Sequence, residues 1–227
     1  MSQELTAHAL GSAGFGLLLL STAGVAVLHT LTGPDHYLPF IVMGRARRWS
    51  FARTVGWTLL CGVGHVGSSV LLALGGVALG YGLERVQLIE EWRGGLAAWL
   101  MIAFGAVYLA WGLKRAWRGH AHVHAGVRAE ADGFNLTPWV LFTIFVFGPC
   151  EPMIPLVMLP AAQGQWVEMG TVVALFSVLT LAAMLGAVLL VRRGLTVLPL
   201  ARFERYTHAA AGGMILLSGC AIQFLGL

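Results

Sequence analysis

The stretch GPDHYLPFIVM, residues 33–43, aligns without gaps on GPCEPMIPLVM, residues 148–158. Both copies begin with Gly-Pro and end with Val-Met, and they lie 115 residues apart, about half of the 227-residue chain. Proline lacks a backbone N–H and clashes with the carbonyl four residues earlier, so each Gly-Pro pair predicts a break in a helix. The sequence therefore predicts two related halves, each with a broken helix near its start.

Long apolar runs surround this repeat. Hydrophobic residues make up 58% of the chain and charged residues only 11%, which is about half the charged fraction of an ordinary soluble domain. A membrane-spanning helix needs about 20 apolar residues. The sequence predicts six such segments, at about 10–43, 54–82, 95–117, 136–162, 166–191 and 206–227. The predicted fold is an all-α membrane protein with six transmembrane helices, of which the first and fourth are broken at Gly-Pro.

The basic residues are concentrated in alternate loops. The first, third and fifth predicted loops hold 12 of the 14 Lys and Arg residues: Arg45, Arg47, Arg48 and Arg53; Lys114, Arg115, Arg118 and Arg128; Arg192, Arg193, Arg202 and Arg205. Positive charge marks cytoplasmic loops, so we predict that these three are cytoplasmic and that both termini are outside a prokaryotic plasma (inner) membrane. The net charge of +4 is then explained by topology and not by nucleic-acid binding.

This topology divides the chain into two repeats of opposite orientation. Residues 1–117 and 136–227 are predicted three-helix repeats, joined by a cytoplasmic linker at 118–135. An odd number of segments per half inverts the second half, which is the plan of many transporters. The linker also carries alternating histidines, which either capture metal or belong to a plain solvated segment: His120, His122 and His124.

Ionisable side chains flank both predicted breaks. Asp35 and His36 follow the first, Cys150 and Glu151 follow the second, and His29 precedes the first by about one turn. Ionisable groups inside a membrane are costly, and a functional role is their default interpretation.

The second predicted segment adds a polar helix face. Cys61, His65, Ser68 and Ser69 recur at three- and four-residue spacing, which places them on one face. A polar ring in hydrocarbon needs a partner, which favours a functional role for His65. Cys61 and the serines are more simply explained as a small buried residue and as hydroxyls bonded to the helix backbone.

These side chains together predict a metal site. Histidine, carboxylate and thiolate suit a borderline divalent transition metal, whereas calcium and magnesium prefer oxygen ligands only. The predicted site lies between the two broken helices and the second segment, and its residues are His29, Asp35, His36, His65, Cys150 and Glu151. We predict a metal transporter and not an enzyme, without a resident cofactor. Its predicted partners are membrane lipid and the metal ion, and a homo-oligomer remains open.

Two of these motifs also resemble a known family. HTLTGPDH, residues 29–36, is similar to the first signature of the nickel/cobalt transporter superfamily, and GHVGSSV, residues 64–70, resembles the second. The similarity is to the urease-accessory-like branch, which is often grouped with sulfite-exporter-like proteins. The resemblance implies a six-helix inverted-repeat fold and movement of nickel or cobalt, with His29, Asp35, His36 and His65 as ligands. FGPCEP, residues 147–152, departs from the Asp-Thr-Ala-Thr-Glu pattern of the family's uptake permeases.

Two other functions fit parts of the sequence. GPCEP, residues 148–152, resembles the Pro-Cys motif of transmembrane thiol–disulfide electron carriers of the cytochrome-c-biogenesis type, but Asp35 stands where the partner of Cys150 is expected. A sulfur-oxyanion exporter would bind its anion at helix N-termini. Asp35 and Glu151 occupy those positions and would repel an anion.

Overall fold

The structure, a computed structural model, describes residues 2–118, 136–197 and 205–226. These ranges form eight α-helices and contain no strand: α1 (Ser2–Thr32), α2 (Leu38–Ala46), α3 (Phe51–Ala78), α4 (Leu83–Arg118), α5 (Leu136–Phe147), α6 (Met153–Ala162), α7 (Trp166–Val197) and α8 (Thr207–Leu225). A 3₁₀ turn, Pro34–His36, lies between α1 and α2. The all-α fold predicted from the sequence is confirmed.

Five helical segments of the described chain are long and apolar enough to cross a membrane: Ala13–Thr32, Phe51–Ala78, Leu83–Arg118, Trp166–Gly194 and Thr207–Leu225. The fourth predicted segment, 136–162, consists instead of the two short apolar helices α5 and α6. Helices α1 and α5 end at Thr32 and Phe147, each directly before a Gly-Pro pair. The chain thus has the character of an integral membrane protein.

Helix α4 is longer than the sequence predicted. The predicted membrane segment begins at residue 95 and leaves out Glu90 and Arg93, whereas the helix begins at Leu83 and includes both residues. The two charges lie one turn apart and form an ion pair. A charge that is paired can be buried more readily than a single charge. The charged residues were therefore a poor sign of where this helix begins.

The centre of the fold is α3, which packs against α5, α6 and α7. On its other flank, α4 and α8 pack so closely that a Cβ added at Gly105, Gly112 or Gly212 would collide with the backbone of the opposite helix. Helix α1 packs against α7. The middle of α3, which carries His65, lies beside both Gly-Pro segments, since His65 is close to His36 on one side and to Gly148 on the other.

Described residues that flank the first, third and fifth predicted loops contact one another. Arg192, near the end of α7, donates hydrogen bonds to the carbonyl of Trp49 (3.2 Å) and to Thr54 Oγ1 (2.6 Å) in the α2–α3 region. Arg47 donates to Thr137 Oγ1 at the start of α5 (3.0 Å). The predicted linker histidines, His120, His122 and His124, lie outside the described residues.

Candidate metal site

The turn after α1 orients His36. This side chain is only 3% exposed, and its Nδ1 lies 3.1 Å from the Gly33 carbonyl oxygen and 3.2 Å from Asp35 Oδ1. Both neighbours are acceptors, so Nδ1 is assigned as the protonated donor and Nε2 is left with its lone pair. Gly33 is needed here, because a Cβ at this position would lie 2.6 Å from His36 Nδ1.

His65 lies against the end of α5. It is 2% exposed in the middle of α3, and a Cβ added at Gly148 would lie 3.2 Å from its Nδ1. Its Nε2 is buried and has no hydrogen-bond partner. For His36, the carbonyl and the carboxylate behind Nδ1 form the usual arrangement of a histidine that binds a metal through its other nitrogen.

Three histidine rings meet at one point in the interior. The ring centroid of His36 lies 4.7 Å from that of His29 and 4.9 Å from that of His65, and the His29 and His65 centroids are 6.5 Å apart. The Nε2 atoms of all three are buried and lack a hydrogen-bond partner. An unsatisfied buried polar atom costs about 1–3 kcal/mol, so these three atoms are candidates for binding a ligand.

Cys150 joins this cluster from the other half of the chain. It is fully buried, and one ligand atom from each of His29, His65 and Cys150 lies within 4.8 Å of the other two. Ligand atoms around a tetrahedral ion, with bonds of about 2.0–2.3 Å, are about 3.3–3.8 Å apart. Movements of about 1 Å would therefore bring these three atoms to the spacing of ligands around one ion.

The remaining two predicted ligands lie elsewhere. Asp35 supports His36 from behind and lines, with His65, a cavity of about 20 Å³, which has room for about one water molecule. Glu151 is exposed and lines a separate cavity of about 260 Å³ with Gln87, Glu90 and Glu91. The structure thus brings ligand atoms of His29, His65 and Cys150 together. The His36 ring lies beside His29 and His65 but outside that group, Asp35 contacts His36, and Glu151 lies apart from all of them.

Sequence reasoning missed a charged network beside this cluster. Glu90 is fully buried, forms an ion pair with Arg93 and accepts hydrogen bonds from Ser69 Oγ and from the backbone N–H of Cys150. Arg93 also donates to Ser68 Oγ. The available signal was the pair of opposite charges three residues apart, together with the two serines on the predicted face of α3.

The cysteines occupy different surroundings. Cys61 is buried in an apolar cluster with Phe40 and Met184, whereas Cys150 belongs to another core cluster with Val66 and Met153. All three cysteines, including Cys220, are free thiols.

Comparisons with protein-family models, with curated proteins and with solved structures find no match for this chain.

Proposed function

We propose that this protein moves a divalent transition-metal ion, nickel or cobalt first, across a prokaryotic inner membrane. The observation that carries the proposal is the group of ligand atoms from His29, His65 and the buried Cys150, which lie within 4.8 Å of one another. In support, the Nε2 atoms of His29, His65 and the neighbouring His36 are buried without a hydrogen-bond partner. Histidine nitrogen and cysteine sulfur are ligands for borderline and soft metals. Calcium and magnesium, which take oxygen ligands, fit this donor set poorly.

The proposed ligands are His29, His36, His65 and Cys150, with Asp35 as the support of His36. Glu151 is left out because it faces the larger cavity and not the histidines. A neutral histidine set with one thiolate carries little net charge, so a divalent ion bound there keeps positive charge. The nearby Asp35 carboxylate offsets part of that charge in surroundings where charge is costly.

The inverted-repeat plan is part of the same proposal. Each Gly-Pro segment would interrupt a membrane helix, and irregular backbone is tolerated at membrane depth where protein buries it or it lines a cavity. Such interruptions near the midplane form the ion sites of many transporters. In support, the proposed ligands come from the segments around both Gly-Pro pairs and from α3.

Transport by proteoliposomes tests this function. The purified chain would be assayed with nickel, cobalt, zinc, manganese, sulfite and chloride, together with His65→Ala and the matched control His208→Ala. His208 lies in α8, where its Nδ1 is within 2.8 Å of the Tyr108 hydroxyl. We expect flux of nickel or cobalt that His65→Ala abolishes and His208→Ala retains. Flux of anions alone would refute the proposal in favour of the exporter.

The same preparation distinguishes the thiol–disulfide carrier. A relay needs two cysteines that exchange a disulfide. After mild oxidation in the membrane, we expect Cys61 and Cys150 to remain free thiols. If a Cys61–Cys150 disulfide forms and a thioredoxin-like donor reduces it, the protein is an electron carrier and the metal-transport proposal is refuted.

A further inference from the structure

Glu90 and Arg93 form hydrogen bonds with backbone groups on both sides of the second Gly-Pro pair. In an uninterrupted helix, the N–H of Cys150 would donate to the carbonyl of Val146, four residues earlier. Here those two groups are separated. The Val146 carbonyl accepts from Arg93 Nη2 (2.6 Å) and the Cys150 N–H donates to Glu90 Oε1 (2.9 Å).

The two charged residues thus replace one lost backbone hydrogen bond. Glu90 and Arg93 form an ion pair with each other, so a continuous path runs from the Val146 carbonyl through both side chains to the Cys150 N–H. Without such partners, both backbone groups would be unsatisfied in surroundings that contain little water. Ser68 and Ser69 fasten the pair to α3, the helix that carries His65.

From this geometry we infer that Glu90 and Arg93 are positioning residues that hold the Cys150 thiol in place opposite His65. The inference rests on the proposed function and adds to it: the ion pair keeps sulfur in the ligand set, and thereby favours thiophilic metal ions over those that accept nitrogen alone. At the first Gly-Pro pair, the carbonyl that corresponds to that of Val146 belongs to Leu31. It accepts a hydrogen bond from a neutral group, the Tyr37 hydroxyl (3.3 Å).

The first test uses the absorption of bound cobalt(II). Thiolate coordination gives a near-ultraviolet charge-transfer band, whereas imidazole coordination gives ligand-field bands without it. We expect the full-length protein to show the charge-transfer band with cobalt(II). In Glu90→Gln the NH2 group would face either Arg93 or the Cys150 N–H, so a donor would meet a donor at one end of the path. The path would open, and the charge-transfer band would be lost while ligand-field bands remain. Metal affinity would fall about 10–100-fold, as for other residues that support metal ligands.

The control and the fallback variant keep this test decisive. Glu91→Gln removes a neighbouring exposed carboxylate that lines the same cavity, and it should leave the band unchanged. Arg93→Lys keeps the charge but loses the forked geometry that reaches two acceptors, so it should weaken the band even if Glu90→Gln fails to insert. A full charge-transfer band in Glu90→Gln or in Arg93→Lys would overturn the inference.

A second readout needs no metal. Cys150 is fully buried, and in a Cys61→Ser, Cys220→Ser background its alkylation rate reports how firmly the segment is held. We expect Glu90→Gln and Arg93→Lys to raise that rate and Glu91→Gln to leave it unchanged. If the rate rises but no variant or parent binds metal, the positioning role stands and the metal function fails. Equal rates in all variants would contradict the positioning role.

Discussion

At the scale of the residue, Asp35 contacts one of the proposed metal ligands and is not itself one of them. Its Oδ1 lies 3.2 Å from His36 Nδ1, whereas Nε2 of the same ring has no hydrogen-bond partner. A carboxylate in this position fixes the tautomer and the ring orientation and raises the basicity of the other nitrogen. In the proposed site, Asp35 would therefore act on the metal through His36.

Replacing Asp35 by asparagine tests that role. The Asp35→Asn side chain retains an acceptor for His36 Nδ1 but loses the charge. We expect metal affinity to fall about 10–100-fold with the metal stoichiometry unchanged, since the four proposed ligands remain. Titration of the purified protein with nickel or cobalt measures both quantities. An unchanged dissociation constant would show that the carboxylate does not support the site.

Residue types and their spacing could predict part of this site. His29, His36 and His65 stand out because a histidine in an apolar run needs a partner, and the Gly-Pro repeat drew attention to Cys150. Glu151 stood out for the same reason, but its direction depends on the turn around Pro149 and Pro152, which the spacing does not specify. Only the three-dimensional structure shows that it faces the larger cavity.

At the scale of the element, the closest contact is between α4 and α8. A Cβ at Gly212 would collide with the backbone of Leu109, whereas a Cβ at Gly213 would meet only the end of the Leu109 side chain, 3.9 Å away. Close approach of two backbones through glycine is a common way to pack helices in membranes. Substitutions at Gly212 and Gly213 can therefore distinguish the effect of helix packing from the effect of helix propensity.

Alanine at these two positions should have opposite effects. Gly212→Ala forces the helices apart, and overpacking of this kind costs about 1–3 kcal/mol. Gly213→Ala fits with little movement and gains up to about 1 kcal/mol of helix propensity. Thermal unfolding of the purified protein in detergent is the measurement. A melting temperature for Gly212→Ala equal to or above that of Gly213→Ala would contradict the close packing of α4 and α8.

Helix boundaries were predictable where the signal was local. Gly-Pro pairs coincide with the ends of α1 and α5 because proline restricts its own backbone and that of the preceding residue. The start of α4 was not predictable in this way. Glu90 and Arg93 can lie inside this apolar helix because their polar groups have partners. Those partners are distant in sequence and so cannot be read from it: Ser68, Ser69 and the backbone of residues 146 and 150.

At the scale of the whole molecule, Arg47 and Arg192 of the described chain both lie at the end that holds the connection between α2 and α3. Arg192 contacts the segment around Trp49, and Arg47 contacts the start of α5. The guanidinium of Arg47 also lies 5.7 Å from the ring centres of Tyr108 and Trp111 in α4. If the chain spans a bilayer, the positive-inside rule places this end in the cytoplasm.

Cysteine labelling of intact cells tests this orientation. The test compares Gln165→Cys, between α6 and α7, with Gly126→Cys in the predicted cytoplasmic linker, both in a background without native cysteines. We expect a membrane-impermeant maleimide to label position 165 in intact cells and position 126 only after permeabilisation. Labelling of position 126 in intact cells would refute the orientation.

X-ray absorption at the metal edge, on the purified protein loaded with one equivalent of nickel(II) or cobalt(II), examines the proposed site itself. Ligation by His29, His36, His65 and Cys150 predicts one ion per chain with about three nitrogen neighbours and one sulfur neighbour. The sulfur contribution should disappear in Cys150→Ser while the imidazole contribution remains. A shell of oxygen alone, or the absence of stoichiometric binding, would contradict a metal site at the meeting point of these histidines.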